Sequence, residues 1–96
     1  MTDHDHDHDY ELVVARPAAR AIAERLPEAV SAAVVEFITG ALIKNPQRVG
    51  SQLRNELAGI RSARRGTYRI LYRIDETTHT VTVLRIDHRG DVYRQR

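Results

Sequence analysis

The chain has 96 residues, 29% of them charged and 42% hydrophobic, with no cysteine and a formal net charge of +2. This length fits one small domain with a single core, and the lack of cysteine excludes a disulfide framework or a cysteine metal site. No apolar run approaches the roughly 20 residues that span a bilayer, and the acidic N-terminus lacks the apolar segment of a secretory signal. We therefore expect a soluble cytoplasmic protein without membrane contact.

The net charge conceals a strong asymmetry between the two halves of the chain. Residues 1–47 hold four basic and eight acidic groups, which gives −4, whereas residues 48–96 hold eleven arginines and five acids, which gives +6. Arginine has a planar fork that suits bidentate contacts with phosphate. A basic half of this kind is typical of a protein with a phosphate-bearing partner, although a genome rich in arginine codons would also raise the arginine count.

The first nine residues, MTDHDHDHD, form a low-complexity arm without apolar content. Alternating histidine and aspartate could hold a divalent metal ion. A flexible arm imposes no coordination geometry, however, so we predict a disordered, solvated segment at 1–9 and assign no metal site. Residues 10–96 are expected to form a single domain.

Residues 10–44 predict one strand followed by two helices. YELVVAR at 10–16 reads as a strand, and Pro17 suits the first turn of a helix. Apolar residues then recur at helical spacing over 17–26 and again over 28–44, the second run giving an amphipathic helix of about four turns. The two stripes consist of Ala18, Ile22 and Leu26, and of Val30, Ala33, Val34, Phe37, Ile38, Ala41 and Leu42.

The rest of the chain predicts three strands, at 60–65, 68–74 and 80–86. A polar connector at 48–59, a turn at Gly66 and Thr67, and the polar run 75–79 separate them. One strand, two helices and three antiparallel strands predict an α+β fold. In this fold an antiparallel sheet of about four strands packs against an N-terminal two-helix hairpin.

The last two strands carry arginines on one face. Side chains alternate along a strand, so Arg69, Leu71 and Arg73 share a side. If the hairpin folds about Thr77, Arg69 lies directly opposite Arg85. Like charges in that position destabilise an antiparallel pair, so we predict that this face is built to hold an anion.

Two motifs lie in the basic half, GTYRILY at 66–72 and HRGDVY at 88–93. Together with the block from Asn45 to Arg94 that contains them, they resemble the RelE/ParE superfamily of bacterial toxin–antitoxin toxins, in which the patterns are GxYR(I/V)(L/I)Y and HRxxVY. The chain looks most similar to the RelE branch, which cleaves messenger RNA in the ribosomal A site. The resemblance implies a RelE-like fold.

The resemblance also implies a metal-independent endoribonuclease that needs no cofactor, in which the RNA 2′-hydroxyl attacks the adjacent phosphate. This chemistry needs a base, cations for the growing negative charge and an acid for the leaving 5′-oxygen. Arg69 matches the family's strand arginine at the scissile phosphate, and Arg89 matches the second family arginine. Tyr93 matches the tail tyrosine that orients a nucleotide base, although it could equally pack against the core.

His88 and the arginines of the strand at 60–65 complete the candidate set. An imidazole suits proton transfer near neutral pH, but His88 could instead cap the end of a strand. The best-studied RelE toxins carry lysines on the strand before the GxYR strand, where this chain has IRSARR. Arginine stabilises negative charge but is a poor general base. We place Arg61 in the catalytic group and predict RNA or ribosome contacts for Arg64, Arg65, Arg73 and Arg85.

The resemblance therefore predicts a toxin that cleaves translated mRNA on the ribosome and inhibits translation. A cognate, RelB-like antitoxin is expected to neutralise it in a heterotetrameric or similar complex. The alternative is a ParE-like inhibitor of DNA gyrase without nuclease activity, which would not require Arg69, Arg89 and Tyr93 together. A third hypothesis for the function is a non-toxic RNA-binding relative, because this chain lacks the family's lysines.

Overall fold

The computed structural model describes residues 9–53 and 59–88. In chain order its elements are strand β1 (Glu11–Val14), helix α1 (Arg16–Arg20), a π-helical segment (Ala21–Arg25), helix α2 (Glu28–Thr39), helix α3 (Ala41–Lys44), and strands β2 (Ser51–Gln52), β3 (Arg61–Arg65), β4 (Tyr68–Asp75) and β5 (Thr80–His88). None of the described helices has the length and apolar character needed to cross a membrane.

The strands form one sheet in the order β1-β5-β4-β3-β2. Strand β1 runs parallel to β5, and every other neighbouring pair is antiparallel. The predicted α+β fold is confirmed, but the sheet has five strands rather than about four. The additional strand is β2, two residues long, inside the segment that the sequence predicted as a polar connector.

The helices pack on one side of the sheet, which we call the helix-facing side. Every second residue of β4 is buried there, at Tyr68, Ile70 and Tyr72, and β5 adds Val81 and Val83. From the helices, the buried partners are Ala18, Ala21, Val34, Phe37, Ile38 and Leu42. The alternate residues of the same strands point to the other side, which we call the open face.

The predicted two-helix hairpin is present, with two interruptions. Leu26 is extended at φ −83° and ψ 146°, because the residue before a proline disfavours helical geometry, and this ends the first helical run. Gly40, at φ −120° and ψ −94°, separates α2 from α3. The single helix predicted for 28–44 is therefore divided near its C-terminal end.

Strands β4 and β5 change register at a β-bulge. Tyr72 pairs with Val83, whereas the preceding residue Leu71 pairs with Arg85, so Leu84 is the extra residue on β5. The turn before it also closes one residue later than expected, with Asp75 opposite Thr80. The prediction that Arg69 lies opposite Arg85 is therefore wrong.

Candidate functional site

The open face carries a compact group of charged residues on the three central strands of the described sheet. Arg69 of β4 lies directly opposite Arg64 of β3 on one side and opposite Asp87 of β5 on the other. Residues paired in this way have Cβ atoms about 4.5–5.5 Å apart. Arg85 lies two residues before Asp87 and shares its side of β5. We call Arg64, Arg69, Arg85 and Asp87 the arginine cluster.

Two like charges face each other within the arginine cluster. Arg64 and Arg69 are both exposed and directly opposite, an arrangement that destabilises an antiparallel pair. The sequence predicted such a pair between β4 and β5, but the structure forms it between β3 and β4. Three guanidinium groups and one carboxylate leave the cluster with a net charge of +2. This arrangement can bind an anion through bidentate arginine contacts.

The carboxylate of the cluster is held by an arginine on its own strand. Asp87 Oδ1 accepts a hydrogen bond from Arg85 Nε at 3.0 Å. Both side chains remain partly exposed, Arg85 by 65% and Asp87 by 44%. The sequence did not point to Asp87, because the strand was predicted to end at residue 86 and Arg85 was placed opposite Arg69.

Arg73 lies on the open face as predicted, outside the cluster. It is exposed and lies opposite Thr82. It lies four positions after Arg69, which corresponds to about 13 Å along an antiparallel strand. Arg73 therefore extends the positive face toward the hairpin turn.

Arg61 and Arg65 lie on the helix-facing side, away from Arg69. Arg61 Nη2 donates hydrogen bonds to the backbone carbonyls of Gln47 at 2.7 Å and Gly50 at 3.2 Å. The guanidinium carbon of Arg65 lies 4.8 Å from the centre of the Phe37 ring, within the range of a cation–π contact. These arginines hold the loop at 46–50 and the helix surface, and the structure does not bring them to the same side as Arg69.

Tyr72 strengthens the attachment of that loop. Its hydroxyl donates to the backbone carbonyl of Pro46 at 2.6 Å, and the ring is fully buried. Burial raises the pKa of Tyr72 above its ordinary value, against the opposing effect of the nearby Arg61. Arg61 Nε is itself buried without a hydrogen-bond partner among the described residues. These contacts indicate a structural role for this part of β3.

His88 also lies on the helix-facing side, at the end of β5. It pairs with Tyr68, and its Nε2 is 3.1 Å from Thr67 Oγ1. Nδ1 is buried and has no hydrogen-bond partner among the described residues. His88 follows Asp87 directly on the strand, so the alternation directs it away from Arg69. This placement favours the reading of His88 as a strand-end cap over that of a proton donor or acceptor beside Arg69.

A second polar group forms at the opposite end of β4 and β5. Tyr10 stacks on His79 with ring centres 3.7 Å apart, and its hydroxyl donates to Glu76 at 2.9 Å. Gln47 contacts the same Glu76 carboxylate. These contacts tie β1 and the loop after α3 to the hairpin turn. His79 is thus part of this group.

Comparison with known proteins identifies the family. The sequence profile described as the ParE toxin of type II toxin–antitoxin systems, parDE, matches residues 8–93. Toxin RelG from Mycobacterium tuberculosis is 58% identical over 77 residues, which cover 80% of this chain and 88% of RelG. The chain belongs to the RelE/ParE toxin family. It is a toxin of a type II toxin–antitoxin system.

Further relatives place this RelE/ParE toxin in the RelE-like branch. Toxin RelE from M. tuberculosis is 51% identical over 71 residues, 74% of this chain and 73% of that protein. A chain of the M. tuberculosis toxin–antitoxin complex RelBE2 matches with a TM-score of 0.81 and 53% identity, over 84% of this chain and 99% of that one. The isolated Escherichia coli RelE toxin, at 18% identity and a TM-score of 0.66 over 90% of this chain and 93% of its own, shares the fold.

Three predictions for this RelE-like toxin concern residues beyond the described ranges. Arg89 and Tyr93 lie outside them, as does the His/Asp arm apart from Asp9, whose carboxylate is 3.7 Å from Lys44 Nζ. Within 9–53 and 59–88, no three histidine, aspartate or glutamate side chains form a metal-binding group. Within the described ranges, the arginine cluster is where the open face brings Arg64, Arg69 and Arg85 close together.

Proposed function

We propose that this RelE-like toxin is a ribosome-dependent endoribonuclease that cleaves translated mRNA in the A site and thereby inhibits translation in the cytoplasm. The observation that carries the proposal is the Arg64–Arg69 pair on the open face. Like charges directly opposite each other in an antiparallel pair are destabilising, and an anion bound between the two side chains would relieve the repulsion. The RNA backbone supplies such an anion at every linkage.

In the proposed reaction the 2′-hydroxyl loses its proton and its oxygen bonds to the adjacent phosphorus. The bond from phosphorus to the 5′-oxygen then breaks, and the leaving oxygen takes up a proton. Arg69 and Arg64 stabilise the negative charge that grows on the phosphoryl oxygens, and each well-placed donor of this kind lowers the barrier by on the order of 3 kcal/mol. Arginine stays protonated, so the cluster supplies charge stabilisation while the ribosome aligns the 2′-hydroxyl.

The proposed partner that restrains the toxin is a RelB-like antitoxin. Two observations support it: a solved M. tuberculosis structure that matches this chain with a TM-score of 0.81 is a toxin–antitoxin complex, and the open face carries the positive arginine cluster. A positive face favours an acidic partner segment through electrostatic complementarity. A heterotetrameric or similar toxin–antitoxin complex is the proposed assembly.

A second candidate function is inhibition of DNA gyrase, which the ParE description of the matching family profile favours. Mapping of mRNA ends after induction without the antitoxin separates the two. The ribonuclease predicts cuts inside translated codons, whereas the gyrase inhibitor predicts stalled gyrase–DNA complexes and intact messages.

We expect Arg69→Ala to relieve the growth arrest caused by expression without the antitoxin, because it removes the central guanidinium of the cluster. Arg20→Ala is the matched control, since it removes the same charge from an exposed position on α1. The resemblance predicts the same relief for Arg89→Ala. Growth arrest that persists in Arg69→Ala at an equal protein level would contradict the proposed site.

A further inference from the structure

The arginine cluster contains a carboxylate at a position where phosphate binding alone would favour none. Asp87 lies directly opposite Arg69, and a negative charge there repels a phosphate group. Its ion pair with Arg85 contributes little to folding stability, because both side chains are substantially exposed. Affinity for RNA therefore does not explain the presence of Asp87 at this position, and the ion pair with Arg85 contributes too little stability to explain it.

The β-bulge is a second observation about the same two residues. If β5 kept the register of its first half, Arg85 would lie opposite Ile70 and Asp87 opposite Tyr68, both of which are buried on the helix-facing side. The extra residue Leu84 moves both charged side chains to the open face. Bulges commonly re-aim side chains beside active sites, and here the bulge brings a second arginine to the face that carries Arg69.

The contact between Asp87 and Arg85 leaves most of the guanidinium available. Arginine has five N–H donors, one on Nε and four on the two terminal nitrogens. Asp87 accepts the hydrogen bond from Nε at 3.0 Å, which fixes the plane of the group while the terminal nitrogens remain donors. Arg69 and Arg85 are diagonal neighbours across β4 and β5, about 7–8 Å apart at the backbone, so both side chains can reach one phosphate group.

We propose that Asp87 is a positioning residue, which holds Arg85 as a second phosphate-binding arginine beside Arg69 at the place created by the bulge. The inference rests on the proposed ribonuclease function, which identifies the phosphate as the mRNA backbone. Asp87 acts through Arg85 and transfers no proton. Removing Asp87 therefore has no effect of its own once Arg85 is absent.

A double-mutant cycle tests this dependence. Cleavage of mRNA on programmed ribosomes is measured in a single turnover at saturating ribosome. We expect Arg85→Ala to slow cleavage on the order of 10²-fold, as for loss of a preorganised donor, and Asp87→Ala to slow it by a smaller factor. The double variant should be no slower than Arg85→Ala. Asp87→Asn keeps an acceptor oxygen and should fall between wild type and Asp87→Ala, while Arg20→Ala should cleave at the wild-type rate.

Two outcomes overturn the proposal. Asp87→Ala that cleaves at the wild-type rate shows that Arg85 needs no positioning. A double variant slower than Arg85→Ala by the full Asp87 factor shows that Asp87 acts independently, for example as a base.

A separate measurement distinguishes failure of this inference from failure of the proposed function. If the wild-type protein leaves ribosome-bound mRNA intact, the ribonuclease function fails, and binding of a 2′-O-methylated RNA oligonucleotide still tests Arg85. In anisotropy titrations over a range of salt, Arg85→Ala should reduce the slope of log affinity against log salt by about 0.7, the value for one phosphate contact on a single strand. An unchanged slope overturns the placement of Arg85 on phosphate.

Discussion

The opposed arginines on β3 and β4 imply that the toxin is more stable without one of them. We predict that Arg64→Gln raises the free energy of unfolding. Arg64 is the better member to replace, because Arg69 also lies opposite Asp87 and its removal would lose a favourable pair. Glutamine keeps most of the side-chain length and hydrogen-bonding capacity while it removes the charge.

The expected gain is about 0.2–1 kcal/mol, the range for cross-strand side-chain pairs. Because Arg64 and Arg69 are exposed, solvent screening places the value in the lower half of that range at ordinary salt. Arg73→Gln is the matched control: it removes the same charge from the same face, but its partner is Thr82. The control should show a smaller change.

Urea unfolding measures the effect without adding ions, and salt then separates charge repulsion from other causes. The Debye length falls from about 30 Å at 0.01 M to about 3 Å at 1 M salt, so the advantage of Arg64→Gln over Arg73→Gln should shrink at the higher concentration. Repulsion between Arg64 and Arg69 would be refuted if Arg64→Gln were less stable than wild type at low salt, or if its gain in stability were the same at both concentrations.

Three further predictions follow from the packing of β3 and β4. Gly50→Ala should destabilise the fold by about 1–3 kcal/mol in urea unfolding, because a Cβ there would lie 2.6 Å from both the Ser62 carbonyl oxygen and the Tyr72 hydroxyl; wild-type stability would contradict this. Burial raises the pKa of Tyr72. The contribution of Tyr72 to the free energy of unfolding is therefore fully present below the unfolded-state pKa of about 10 and is lost as pH rises through the folded-state value. Unfolding titrations should show a smaller decrease in stability at alkaline pH for Tyr72→Phe than for wild type. Arg64→Ala should reduce the salt slope of RNA-oligonucleotide binding by about 0.7, whereas its sequence neighbour Arg65→Ala, on the other side of β3, should leave it unchanged; equal changes would exclude the open face as the binding surface.

The elements were predictable where apolar residues repeat over a sufficient length. Tyr68, Ile70 and Tyr72 bury alternate positions of β4, and this period was visible in the sequence. Strand β2 was missed because two residues show no period. The division of the second helix at Gly40 was also missed, since the apolar stripe continues through it to Leu42.

Which residues belong to the arginine cluster depends on the register of β4 and β5, and regular alternation along β5 does not predict that register. Val81 and Val83 bury odd-numbered positions of β5, whereas the next buried residue is Ile86, an even-numbered one. A gap of three between buried residues on a strand is the sequence signal of a bulge. The assumption of an unbroken hairpin therefore placed Arg85 opposite Arg69 and gave no role to Asp87.

The same alternation determines what each arginine of β3 can do. Ala63 is buried, so the odd-numbered positions of that strand face the helices and the even-numbered ones face outward. Arg61 and Arg65 consequently donate hydrogen bonds to backbone carbonyls on the helix-facing side. Arg64 directly precedes Arg65 in the chain but lies on the open face, opposite Arg69. The number of arginines and the net charge do not show which side of the sheet each arginine occupies. The position of an arginine relative to the nearest buried residue of its strand decides whether its side chain packs against the helices and the loop at 46–50 or lies on the open face.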